Sequence, residues 1–118
     1  MRALALDIGT KRTGAALFDA AIGFPMPLTT VRAEGDDLLA AIDLLLAERR
    51  PDHLVVGLPL LPSGEEGGQS GWVREVAERF RPAVQALTYI DERYSTPPNY
   101  DHDGDAAAAV TLLQTFLD

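Results

Sequence analysis

A chain of 118 residues with 47% hydrophobic content predicts one globular domain, 1–118, with a core of its own. It has no cysteine, which excludes a disulfide, a zinc–thiolate site and a cysteine nucleophile, and it fits a reducing, cytoplasmic setting. No apolar run nears the ~20 residues of a membrane span, the opening MRALALDIG lacks a signal-peptide cleavage region, and a net charge of -8 disfavours strong nonspecific binding to nucleic acid. That acidity does not exclude a nuclease whose carboxylates carry metal ions.

Residues 2–7 (RALALD) and 13–18 (TGAALF) predict two strands. The GTKR between them predicts a short hairpin turn in which Gly9 takes a positive φ. Residues 22–32 predict a third strand at a sheet edge, because Pro25 and Pro27 have no amide to donate. Leu38, Ile42, Leu45 and Leu46 share one helical face, with a start at Asp36 or Asp37 and a stop at Pro51. HLVVG (53–57) is the short continuous apolar run of a buried strand. Residues 58–71 predict a long loop rich in Gly and Pro, with Ser63, Gln69 and Ser70 as candidate substrate contacts. Val73, Val76, Ala77 and Phe80 mark a second helix ended by Pro82, and residues 84–91 a fifth strand. A second long loop, 92–104, leads to a last helix that Asp105 can cap, with Ala109, Val110, Leu113, Phe116 and Leu117 on its apolar face. The order β-β-β-α-β-α-β-α predicts an α/β fold, a five-stranded mixed sheet flanked by helices.

Strands one, four and five should run parallel, so Asp7 and Glu92 should meet at one sheet edge, where ligands of open α/β sheets collect. The first turn of the last helix would add Asp105. Carboxylates a few Å apart share a proton or bind a cation. A donor set of oxygens alone suits Mg²⁺ or Mn²⁺. Two such ions ~3.5–4 Å apart activate water and stabilise the leaving oxygen in phosphodiester cleavage. Lys11, Arg12 and Arg93 flank these positions and can hold phosphates. Asp91 and Glu92 alternate along the strand end, so they point to opposite sides. His53 reads as structural, His102 as a loop residue and Trp72 as helix packing. DHDGD (101–105) has its glycine at the wrong place for an EF-hand loop, and GEEGGQS (64–70) lacks the lysine of a P-loop.

Four blocks in order, LALDIGTKRTGAAL, LVVGLPLLPSGEEGGQS, DERYST and DAAAAVTLLQTFLD, resemble the YqgF/RuvX family of pre-16S rRNA nucleases. That family is related to RuvC-type Holliday junction resolvases and has an RNase H-like fold. The resemblance implies an RNase H-like chain that cleaves nucleic acid with a metal, in ribosomal RNA maturation, with Asp7, Glu92 and Asp105 as catalytic carboxylates. Family members usually carry a longer segment, with a helix and several basic residues, before the final Asp. Here that segment is YSTPPNYDHDG (94–104), without Lys or Arg. The substrate would be nucleic acid, RNA or DNA, and the assembly a monomer or a homodimer. Two other functions stay open. DIGTKRTGAAL is also similar to the first phosphate loop of actin-like ATPases and sugar kinases, which implies a nucleotide-binding half domain. A non-catalytic RNase H-like module that binds a partner is the other.

Overall fold

The computed structural model describes residues 1–92 and 104–118. Its strands are β1 (Arg2–Asp7), β2 (Arg12–Asp19), β3 (Met26–Arg32), β4 (His53–Leu58) and β5 (Ala86–Asp91). Its helices are α1 (Gly35–Arg49), α2 (Gly68–Glu78) and α3 (Gly104–Leu117), with a short 3₁₀ turn at Arg81–Ala83. The sheet order is β3-β2-β1-β4-β5. The first three strands form an antiparallel meander, and β4 and β5 add in parallel to β1. This is the predicted RNase H-like mixed sheet, with β3 at its edge and Pro27 on that edge strand. No helix among the described residues is long and apolar enough to cross a membrane.

The pleat sorts the strand residues into two layers. Leu4, Leu6, Leu54 and Val56 face α1 and α2, where Leu38, Ile42, Val73 and Phe80 join one core cluster. Ala3, Ala5, Ala16 and Val55 face α3 and meet Ala109, Leu112 and Leu113. Large side chains line one face and mostly small ones the other. The small residues, with the alanines of α3, let that helix lie close to the sheet, so its first turn reaches the carboxyl ends of the parallel strands.

Several local expectations change. Gly9 does not take a positive φ; among the described glycines Gly23, Gly35 and Gly64 do. Gly9 is needed because a β-carbon there would overlap the Arg12 carbonyl oxygen across the turn. β3 starts at Met26, because residues 20–25 form the hairpin connection. α1 starts at Gly35 behind Glu34, with Asp36 and Asp37 in the first turn, where the helix dipole favours carboxylates. α2 starts at Gly68, inside the stretch expected to be loop. Ser70 is therefore helical and fully buried, and its hydroxyl donates to the Pro59 carbonyl at 2.6 Å, so it is not available to a substrate. α3 starts at Gly104, which puts Asp105 in the first turn and not at the cap. The readings of Arg93, His102 and the segment before Gly104 lie outside the described residues.

His53 is structural, as read. Its ring shares a 2.7 Å hydrogen bond with Thr88 and lies 4.6 Å from the Phe116 ring. Partial burial lowers its pKa below the ordinary value. Trp72 packs against the large-residue core, also as read.

Candidate active site at the carboxyl edge of the sheet

Asp7 is the last residue of β1, on the same side as Ala3 and Ala5 and therefore toward α3. Glu92 follows β5 two strands away. Its carboxyl reaches back across β4 because the strand between carries Gly57 there. A β-carbon at Gly57 would lie 2.9 Å from Glu92 Cδ and 3.0 Å from Leu112 Cδ1. Through this gap the Glu92 carboxyl meets the Asp7 carboxyl and hydrogen-bonds to it. Burial, then the hydrogen bond and the negative charge of Asp7, push the Glu92 pKa up to about 9. At neutral pH the Glu92 carboxyl therefore keeps its proton. Asp91, one residue earlier, is exposed and opposite Leu58 in the register.

Asp105 arrives from the other side. Asp7 is paired in register with Gly14 of β2, and α3 begins directly over Gly14. A β-carbon on Gly14 would overlap the Asp105 backbone carbonyl. The Asp105 carboxylate lies mostly buried, 3.4 Å from Arg12 Nε, whose side chain is half exposed. The turn below is tied by the Gly9 amide donating to the Thr13 hydroxyl at 3.4 Å.

Asp7 and Asp105 open into one pocket of about 700 Å³. Its remaining lining is Gly9, Thr10, Lys11, Arg12 and Arg32. The pocket thus has an anionic inner side and a cationic rim. Of the residues singled out in the sequence, Asp7, Asp105, Lys11 and Arg12 line it, and Glu92 joins through Asp7. Gly57 and Gly14 lie within the motif blocks without an assigned role, and Arg32 was not singled out. The first two are recognisable only once the neighbouring strand and helix are known. Arg32 needs the β2–β3 register, which places it opposite Arg12.

Among the described residues, no group of three His, Cys, Asp or Glu side chains is drawn together tightly enough to hold an ion. Asp7 and Glu92 are hydrogen-bonded to each other, and Asp105 pairs with Arg12. The donors still suit a hard divalent cation. They are carboxylate oxygens, and a proton now fills the role that a counter-charge between Asp7 and Glu92 would fill.

A family model described as "RuvX: Holliday junction resolvase" matches residues 1–118. A protein of Albidiferax ferrireducens named "Putative pre-16S rRNA nuclease" is 37% identical over 118 aligned positions, covering 97% of this chain and 76% of the relative. One of the same name from Polaromonas sp. strain JS666 is 36% identical, covering 97% and 86%. Thermus thermophilus RuvC, solved in complex with a Holliday junction substrate, superposes with a TM-score of 0.65 at 13% identity over 99% of this chain and 94% of that one. That last likeness concerns the fold, and it matches the mixed sheet and helix layers described above. By the match across its whole length, and by relatives more than a third identical, this chain belongs to the RuvX family.

Proposed function

We propose that this protein is a nuclease of the cytoplasm that hydrolyses phosphodiester bonds of nucleic acid, with precursor 16S rRNA as the leading substrate, and that it requires Mg²⁺ or Mn²⁺. The observation that carries the reading is the half-buried, hydrogen-bonded Asp7–Glu92 pair beside a pocket with a cationic rim. A carboxyl that keeps its proton against a second carboxyl stands ready to exchange that proton for a cation. A basic rim beside them suits a phosphate. Family membership and the names of the relatives support the choice of reaction and of substrate.

Within this reading Asp7 and Glu92 hold the cation, and Asp105 adds an oxygen from the helix side. Such an ion, when bound, activates water and neutralises charge on the phosphate. Lys11 and Arg12 hold phosphates of the strand, Arg12 the one that is cleaved, where a cationic donor stabilises charge that grows during cleavage. Gly57 keeps the gap through which Glu92 reaches Asp7. Gly14 keeps the seat on which Asp105 is presented.

Incubation of labelled single-stranded RNA and DNA with Mn²⁺, Mg²⁺ or EDTA tests this. Cutting in metal and none in EDTA is the expected result, and the faster substrate identifies the preferred sugar. No cutting of either by the folded protein would overturn it. The second reading, a non-catalytic binding module, is favoured by one observation: Asp105 pairs with Arg12 and no three-carboxylate cluster closes among the described residues. Binding without cutting would establish that one.

A further inference from the structure

Arg12 and Arg32 are directly opposed in the antiparallel β2–β3 register. Like charges at directly opposed positions destabilise a strand pair. A charged end on an edge strand guards against pairing with another chain, but that role needs no second arginine opposite. Lys11 is the neighbouring residue and the only lysine of the chain. Three of the ten cations of a protein with net charge -8 therefore sit on one rim. Arg12 has a partner in Asp105, whereas neither Lys11 nor Arg32 makes an ion pair among the described residues.

Lys11 and Arg32 also line a second depression of about 400 Å³ with Ala33, Glu34 and Asp37. The two depressions share these two cations, which therefore stand between the carboxylates and the start of α1. There Glu34, Asp36 and Asp37 turn the surface negative. The cationic part has room beside the carboxylates and is closed off by acid beyond.

We propose that Lys11 and Arg32 form a second phosphate subsite, which takes the phosphate next to the scissile one in a polynucleotide strand. This rests on the nuclease reading and adds a substrate class to it: a strand with at least two consecutive phosphates, not a mononucleotide. The cross-strand repulsion between Arg12 and Arg32 is relieved when the strand is bound. Removing Arg32 should then affect the free protein and the complex in opposite directions.

Anisotropy of a labelled single-stranded 12-mer, RNA and DNA, in EDTA reads binding apart from cleavage. Arg32→Ala should weaken binding about three- to tenfold whatever the sequence, and should reduce the salt slope by about 0.7, one phosphate contact on a single strand. Arg32→Lys should keep most of the affinity, and Arg32→Glu should lose more than Arg32→Ala. Without nucleic acid, Arg32→Ala should melt at or above the wild-type temperature. Wild-type binding that Arg32→Ala leaves unchanged in affinity and salt slope would overturn the subsite and spare the nuclease reading. No binding by the folded wild type would overturn the subsite, and the cleavage assay in Mn²⁺ or Mg²⁺ decides the nuclease reading separately.

Discussion

Glu92 and Asp7 carry the chemistry proposed here, and their contact depends on a residue that has no side chain. The raised pKa of Glu92 gives a pH dependence with a definite sign. Its ordinary value is 4.5 and its folded value about 9. The folded state keeps a proton that the unfolded chain has released. The stability from that proton is full below about pH 4.5 and is lost as pH rises toward 9. Without divalent cation, the melting temperature should therefore fall across that window, by roughly 5 °C or more. Added Mg²⁺ should restore more of it at pH 9 than at pH 5, because the cation replaces the proton. Differential scanning fluorimetry across pH, with Glu92→Gln as control, reads both effects; a flat wild-type profile would contradict the retained proton. Gly57→Ala tests the gap itself. Its β-carbon would sit 2.9 Å from Glu92 Cδ, so Glu92 must withdraw from Asp7. Cleavage should fall at least about tenfold, and the cation-dependent gain in melting temperature should shrink, while circular dichroism stays that of the wild type. The two carboxylates were legible in the sequence because a polar residue ends an apolar strand at each place. Gly57 was not, since its use appears only when Glu92 is seen to cross it.

At the scale of elements, α3 decides where Asp105 goes, and Gly14 decides where α3 goes. The clash of a β-carbon at Gly14 is with backbone, which cannot rotate away as a side chain can. Gly14→Ala should therefore destabilise by about 3 kcal/mol, the upper end of ordinary overpacking. A urea midpoint shifted down accordingly would agree, and an unchanged midpoint would show that α3 does not rest on this strand. The seat was hidden in the sequence because β2 reads equally well with Gly14 as a weak strand residue. The start of α2 was hidden for another reason. Gly67, Gly68 and Gly71 argue against a helix by propensity, yet burial of Ser70 and Val73 against the sheet outweighs that local preference. The strand order was readable because a meander followed by crossover helices leaves few arrangements. Strand ends shifted by a few residues, since turns such as 20–25 are set by hairpin geometry more than by hydrophobicity.

Over the molecule as a whole, the distribution of charge matters more than its total. A net charge of -8 read alone speaks against nucleic acid, yet Lys11, Arg12 and Arg32 gather at the rim beside Asp7 and Asp105. The α/β class, the RNase H-like sheet and the family were all legible from periodicity and four ordered motifs. The cationic rim was half legible: Lys11 and Arg12 are adjacent in sequence, but Arg32 joins them only through strand pairing. Every role proposed for the rim and its glycines depends on Asp7 and its neighbours cleaving nucleic acid with a bound cation. The measurement that tests it most directly is the rate of Mn²⁺-dependent cleavage of a labelled RNA by wild type and by Asp7→Asn, both shown to be folded. The wild type should cut, and the variant should lose about a thousandfold in rate. Equal cutting by the two would contradict it.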